Sequence, residues 1–357
     1  MSTQPTVLDL FCGCGGISKG FDLAGFSIIG GIDFNNDATL TFKLNFPNAI
    51  VRCVDISTIS NEEIKSLYEG VDVIVGGPPC QGFSSANRWQ KELDDPRNKL
   101  FFQFLRFVKV LLPKAILIEN VRGLLSRDKG YAKDRIVELL SDMGYNVSNT
   151  ILDSSNYGVP QVRKRAFFVA FRKDFKDIIF NFDAIPHLPK VTVEDAIGEL
   201  YQLEKGDTTT IPTPPCNEYT QYLREGIDVL NDHTATYPAE IVQRRISFVP
   251  QGGNWQDVPS ELWPSHRENR HSSAYKRLAP NTQSCTIDTG NAHSNYFHPI
   301  FNRIPSIRES ARLQSFPDSF AFFGPRGSRY KQVGNAVPPL LAKAIASQIL
   351  TLLHEDN

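Results

Sequence analysis

Short apolar runs that stop on glycine or an acidic side chain recur along the first half of the chain, and they restrict the fold more than any other feature. Thr6 to Phe11, Ser27 to Ile32, Ile50 to Val54, Asp72 to Val75 and Ala115 to Ile118 are each of strand length, and Asn146 to Leu152 and Ala166 to Phe171 close the series. Segments of helical character lie between them: Ile17 to Ala24, the almost wholly apolar Leu100 to Leu112, and the amphipathic Tyr131 to Met143. Strands alternating with helices predict an α/β fold with a mostly parallel sheet. The site of such a sheet lies along the carboxyl edges of its strands. Asp9, Asp33, Asp55, Cys80 and Glu119 all fall at or near those edges.

Cys80 has the most informative surroundings. The run Val71, Val73, Ile74, Val75 stops at Gly76-Gly77, and Pro78-Pro79 then delivers the thiol onto a loop. Glycine lets a ligand or another backbone approach, and proline fixes φ without offering an N–H. A free cysteine is more often a small buried hydrophobe. Two glycines, two prolines and the polar Gln81-Gly82 around this one favour a displayed nucleophile instead.

Composition bounds what that nucleophile belongs to. A length of 357 residues accommodates one large domain and a smaller one, and a 41% hydrophobic fraction fills both cores. The six cysteines lack paired CxxC spacing, so neither zinc, nor any other metal, nor a disulfide framework is expected, and a reducing compartment fits. No basic leader region is visible, and the apolar stretches are broken by charge or glycine before membrane-spanning length, so a soluble cytoplasmic protein is expected. A net charge of −1 does not by itself point to nucleic acid, although a local basic cleft would suffice.

The amino terminus reads as strand, glycine-rich turn (Cys12-Gly13-Cys14-Gly15-Gly16) and helix, in which a cofactor approaches the backbone. Asp33 ends the second strand where a carboxylate can hold ribose hydroxyls. Asp55-Ile56 ends the third, offering a carboxylate and an apolar wall to an adenine. Either acid alone could equally be a helix or turn cap. Three acid-ended strands in succession suggest a nucleoside site.

GGPPCQGFS around Cys80, ENV at Glu119 to Val121, QVRKR at Gln161 to Arg165, RLQSFPD at Arg312 to Asp318, GNAVPP at Gly334 to Pro339 and DLFCGCGG at the start together resemble the ordered motifs of the DNA cytosine-5 methyltransferase family of bacterial restriction-modification type. The resemblance covers most of Asp9 to Phe171 and Arg308 to Pro339. It implies a Rossmann-like S-adenosylmethionine-dependent methyltransferase sheet with a second, smaller target-recognition domain, a cleft between the two, and a cytosine swung out of double-stranded DNA. Residues 1–185 plus 328–357 are expected to form the catalytic and cofactor domain, and 186–327, where prolines break the chain into short pieces, the recognition domain and hinge.

The chemistry follows from the residue types. Cytosine C5 is a poor nucleophile, and a thiolate adding at C6 converts the ring into an enamine that can attack a methyl donor; Cys80 suits that addition. Charge then builds toward N3, where an acid that donates to N3 and accepts from the exocyclic amine lowers the barrier, a role the resemblance gives to Glu119. Arg163 and Arg165 match the family's paired arginines, of which one holds the cytosine carbonyl and Glu119. No side chain declares itself as the base that removes the C5 proton.

For the cofactor, S-adenosylmethionine, the resemblance implies contacts from Phe11, Gly13, Cys14, Gly15, Gly16, Asp33, Phe34, Asp55, Ile56, Pro78, Leu100, Asn335 and Val337. Asp33 stands where the family more often has glutamate, and Cys12 and Cys14 occupy turn positions usually filled by small or aliphatic residues. For DNA it implies Ser84, Ser85, Arg88 and Arg97 on the polar loop after Cys80, and Gln251, Gly252, Gly253, Asn254, Arg270, Lys276 and Arg277 in the recognition region. A monomer is expected, with a restriction endonuclease acting on the same site without a stable complex. A tRNA methyltransferase of the same fold is the alternative; that branch typically shows Cys-Gln-Pro-Phe-Thr where this chain has Cys80-Gln81-Gly82-Phe83-Ser84. A dehydrogenase would leave Cys80, Glu119 and the arginine pair unexplained, and a vestigial DNA-binding protein would not need them intact.

Overall fold

A computed structural model describes residues 4–79, 98–203, 214–227, 229–263, 275–290 and 295–355. The chain divides into two compact units, the first comprising 1–153, 164–187 and 339–357 and the second 154–163 and 188–338. In the first unit β1 (Thr6–Leu10), α1 (Gly16–Leu23), β2 (Ser27–Asp33), α2 (Asn36–Asn45), β3 (Ile50–Cys53), α3 (Asn61–Tyr68), β4 (Val73–Gly76), α4 (Lys99–Leu111), β5 (Ala115–Val121), α5 (Tyr131–Asp142), β6 (Tyr145–Asp153) and β7 (Lys164–Arg172) follow in order. The seven strands form one sheet in the order β3-β2-β1-β4-β5-β7-β6. β1 to β5 are parallel, as expected of strands joined by helical crossovers. β7 runs antiparallel to both β5 and β6, so the sheet is mostly parallel, as expected. The strand order reverses beside β1, with β2 and β3 laid to one side and β4 and β5 to the other, so a crevice opens at the carboxyl ends of β1 and β4.

The sheet is held by packing on both faces. Val73, Ile74 and Val75 of β4 and Ala115 to Ile118 of β5 are fully buried. α4 presses Phe101, Phe104, Phe107 and Val108 onto the core, each phenylalanine contributing about 1.5–3 kcal/mol of burial. The helix ends at Leu112, whose left-handed backbone (φ 47°) and the following Pro113 cannot continue it. Two helices escape the sequence patterning. α2 is capped by Asn35, whose side chain accepts from Ala38 N, and α3 by Ser60, which accepts from Glu63 N.

The second unit contains α6 (Val193–Ile197), α7 (Glu218–Leu223), α8 (Glu240–Ser247), the parallel pair β8 (Lys276–Arg277) and β9 (Tyr296–Phe297), α9 (Ile307–Leu313) and α10 (Arg326–Asn335). Every residue of α9 is buried. Its charges are compensated internally: Arg312 bonds to Glu199 at 2.8 Å and to Asp318, and Glu309 receives Arg303 at 2.7 Å. Removing either partner of such a pair would leave an uncompensated buried charge, costing about 3–5 kcal/mol.

The unit boundaries differ from the expected 185/186 and 327/328. Residues 154–163 and 328–338 group with the second unit. For the first of these the reason is visible: Gln161 donates to Leu313 O and Gln314 Oε1, and Arg163 to Ile287 O and Gly334 O.

The last helix, α11 (Pro339–His354), belongs to the first unit and packs along α1. The two approach so closely at Gly20 that a β-carbon there would lie 2.4 Å from Ala342 Cβ and 2.6 Å from Pro339 O. Contrary to the expectation of no such stretch, Arg326–His354 contains an 18-residue window long and apolar enough by composition to cross a membrane. Half of its most apolar window is buried within protein, and Leu341, Ala342, Ile345, Ala346 and Ile349 of α11 are core residues.

Candidate active site

The glycine turn after β1 is shaped by three left-handed residues, Phe11 (φ 60°), Gly13 (φ 52°) and Gly15 (φ 97°). Phe11 is not glycine, so this conformation costs about 1–3 kcal/mol that the surroundings must offset. A β-carbon at Gly15 would lie 2.8 Å from the Phe46 ring and 3.0 Å from Phe42, whereas one at Gly13 would meet nothing within 4 Å. The turn is thus packed against α2 on one side and open at Gly13. Asp33, at the end of β2, accepts from Gly13 N and Asn35 N at 2.9 Å each, tying the turn to the neighbouring strand. Cys12 and Cys14 are buried, and burial pushes both thiols up, Cys14 to about 12, so they pack as small neutral groups. Asp9 is buried in β1. Its Oδ2 accepts from Ser18 Oγ at 2.6 Å, and its Oδ1 has no partner among the described residues. Burial raises the Asp9 carboxyl to about 7 despite the Ser18 hydrogen bond, with Asp33 adding to the rise.

A second wall is built at the end of β3. Asp55 caps the short turn Ile56–Thr58, accepting from Ser57 N at 2.9 Å, and its hydrogen bonds to Ser57, helped by the Lys99 charge, hold its carboxyl below the usual range. Ile56 is buried. Arg106 of α4 fixes this wall by donating to Ile59 O at 2.7 Å, Ile56 O at 2.9 Å and Asn61 Oδ1 at 3.0 Å. Sequence patterning passes over Arg106 because it stands within an apolar helix. Phe34 is 77% exposed, a large ring left in solvent beside Asp33. Pro78 follows β4 and Leu100 lies in the first turn of α4, so Phe11, Gly13, Cys14, Gly15, Gly16, Asp33, Phe34, Asp55, Ile56, Pro78 and Leu100 all belong to the carboxyl edge of the first unit. An open glycine, an orphaned buried carboxylate oxygen, an exposed aromatic and two strand-end acids fit a nucleoside bearing a cationic tail. Asn335 and Val337 belong to the second unit, Asn335 exposed at the end of α10 and Val337 buried after it.

The neighbouring strand end carries the other chemistry. In the antiparallel register Val121 faces Arg165 and Glu119 faces Phe167, so Glu119 and Arg165 share one face as diagonal neighbours. Arg165 Nε lies 3.2 Å from Glu119 Oε1, both side chains being largely shielded. Burial draws the Arg165 guanidinium below its ordinary value, and Glu119 opposes the shift. A β-carbon at Gly77 would lie 3.2 Å from Glu119 Oε2, so glycine lets the carboxylate sit against the backbone leading to Cys80. Asn120 Nδ2 donates to Pro78 O at 2.9 Å while its Oδ1 accepts from Val121 N, anchoring the same backbone. Cys80 itself lies outside the described residues.

The model of the family described as C-5 cytosine-specific DNA methylase matches residues 5–351. The chain belongs to that family. Among relatives, Type II methyltransferase M.DdeI of Desulfomicrobium norvegicum is 38% identical, covering 98% of this chain and 91% of its own, and Type II methyltransferase M1.HphI of Haemophilus parahaemolyticus is 37% identical, covering 97% and 87%. A crystal structure of a DNA modification methyltransferase encoded within an E. coli prophage superposes with a TM-score of 0.79 at 28% identity, covering 99% of this chain and all of the other.

Other expected site residues of this methylase have different settings. Arg163 is buried in the second unit and donates to Ile287 O at 2.9 Å and Gly334 O at 3.0 Å, the setting of a brace, whereas Arg165 belongs to the first unit. Arg277, expected at DNA, instead donates to four main-chain carbonyls, those of Ile246, Val249, Pro299 and Ile300, which uses most of its five N–H groups. Burial lowers its guanidinium from the ordinary value. Gly252 N donates to Arg277 O and Arg277 N to Gly253 O, so the Gln251 to Asn254 loop is stitched to β8. Gly252 is left-handed (φ 81°) with open space around it. Asn254 caps the turn that follows, with Oδ1 accepting from Gln256 N, and Gln251 Nε2 reaches Pro299 O at 3.4 Å. Lys276 is half-buried in β8. Ser84, Ser85, Arg88, Arg97 and Arg270 lie outside the described residues.

Proposed function

We propose that this DNA cytosine-5 methyltransferase works by covalent addition of Cys80 to a cytosine flipped from duplex DNA, with Glu119 and Arg165 gripping the base. The observation that carries the reading is the Glu119–Arg165 pair at 3.2 Å, seated against Gly77 at the head of the backbone that leads into Pro78-Pro79-Cys80. The Cys80 thiolate forms a bond to C6, and the ring electron pair moves toward N3, where Glu119 donates a proton or a hydrogen bond. Arg165 supports the carboxylate and has donors left for the cytosine carbonyl. Asn120 keeps the Pro78 carbonyl, and with it the approach to Cys80, in register with Glu119. After transfer the C5 proton leaves to a base and the S–C6 bond breaks, releasing 5-methylcytosine.

The family is S-adenosylmethionine-dependent, and the turn from Phe11 to Gly16 with Asp33, Phe34, Asp55 and Ile56 would hold that cofactor. Bound there, it supplies an electrophilic methyl group. Asp33 and Asp55 offer carboxylates to its hydroxyls and amine, Phe34 a ring face, and Gly13 open backbone. The Type II relatives support a role as the protective half of a restriction-modification pair, acting in the cytoplasm as a monomer on a short duplex site. Arg277, Gln251 and Asn254 would present the Gly252-Gly253 tip to DNA as supports of that tip.

Trapping tests the covalent step. Incubated with S-adenosylmethionine and DNA containing 5-fluorocytosine in its site, the wild-type protein is expected to form a denaturation-resistant adduct and Cys80→Ala none, because fluorine at C5 blocks release. An adduct that survives the substitution would assign the nucleophile elsewhere.

A further inference from the structure

Among the described residues, only two side chains in the first unit bury polar atoms that find no partner there: Asp9 through Oδ1, and Asn98 through both Oδ1 and Nδ2. Asn98 is wholly buried, and although it stands at the cap position of α4 its side chain makes no capping bond. A buried carboxamide with neither end satisfied destabilises the fold, and such groups in native proteins usually serve a ligand or an ordered water. Its position narrows the choice. α4 follows β4, so its first turn comes at the carboxyl edge where the strand order reverses. The neighbouring Lys99 is close enough to Asp55 to lower its carboxyl, and Arg106, two turns on, holds the carbonyls of Ile56 and Ile59. Asn98 therefore opens the helix whose next residue bears on Asp55 and whose Arg106 fixes the wall that carries Ile56.

We propose that Asn98 is a further ligand of the bound cofactor, at its adenosine end. The inference rests on the cofactor reading above. A carboxamide donates from Nδ2 and accepts at Oδ1, so it complements a ligand edge that sets an acceptor beside a donor, as an adenine does with a ring nitrogen next to its exocyclic amine. The amino-acid end of the cofactor, a carboxylate and an ammonium, is better matched by the open Gly13 backbone and by Asp9. The apoprotein thus keeps an amide without a protein partner, whose hydrogen bonds form when the nucleoside arrives.

Calorimetric titration of the full-length protein with S-adenosylhomocysteine and with 5′-methylthioadenosine, which lacks the amino-acid end, tests the proposal. Asn98→Leu keeps the side-chain size and removes the amide. The variant is expected to bind both ligands about tenfold more weakly, while its apoprotein melts no lower than the wild type because no internal hydrogen bond is lost. Unchanged affinity for both ligands would overturn the proposal, as would weakening confined to S-adenosylhomocysteine or a lower melting temperature of the apoprotein. If the leucine variant fails to fold, Asn98→Ala with the same two ligands decides by affinity. Failure of the wild type to bind S-adenosylhomocysteine would instead remove the cofactor reading, and the proposal with it.

Discussion

At the level of single residues, the candidate site is built from groups whose partners are unusually few or unusually close. Glu119 is shielded and held by Arg165, so Glu119→Gln keeps the shape but removes the acid, and turnover is expected to fall about 10²–10⁴-fold with cofactor affinity little changed. Parallel losses in turnover and cofactor affinity would mean that the residue shapes the crevice instead. Asn120→Ala releases the Pro78 carbonyl and should cost about 1 kcal/mol of stability together with a larger loss in kcat than in KM for the cofactor. Asp9 gives a pH signature. Its folded-state carboxyl is raised to about 7, so the native state keeps a proton that the unfolded chain loses, and stability falls as pH rises from about 4 to about 7. The apoprotein of Asp9→Asn should lack that component, and equal pH slopes of melting temperature for the two proteins would contradict it. The candidates Glu119, Asp33 and Asp55 are visible in the sequence because each stands where an apolar run stops, as does Cys80, which lies outside the described residues. Arg106, Asn98 and the anchoring role of Asn120 are not, because what distinguishes them is which distant carbonyl they meet or that they meet none.

At the scale of elements, the alternating apolar runs specify β1 to β4 within a residue and all but the last three residues of β5, most plainly for β4 and the first four residues of β5, which are buried on both faces and must read as continuously apolar. α2 and α3 are passed over because their sequences, NDATLTFKLN and NEEIKSLY, show only narrow apolar faces and depend on Asn35 and Ser60 as caps. The antiparallel setting of β6 and β7 is likewise hidden: periodicity gives a strand's faces but not its direction. That direction matters, because the antiparallel register is what sets Arg165 on the same face as Glu119. The α1–α11 contact tolerates no side chain at Gly20. Gly20→Ala is expected to destabilise by about 1–3 kcal/mol through overpacking against Ala342 and the Pro339 carbonyl. A thermal midpoint equal to the wild type's would show that α11 can shift freely.

At the scale of the whole molecule, the two units are knit from discontinuous pieces of chain, and composition marks the second without locating its edges. The proline-rich shift near residue 186 lies close to a boundary, but residues 154–163 group with the second unit because Gln161 and Arg163 bond to α9 and α10 and the segment between β8 and β9. Loss of Arg163 should accordingly unfold the second unit and not leave a folded, inactive enzyme. A DNA cytosine methyltransferase acting through Cys80 is tested by the transfer of labelled methyl groups from S-adenosylmethionine to unmodified genomic DNA and, separately, to bulk tRNA, by the wild type and by Cys80→Ala. The account predicts label in DNA cytosine that disappears with the substitution and none in tRNA. Label in tRNA alone, or DNA label that persists without Cys80, would contradict it.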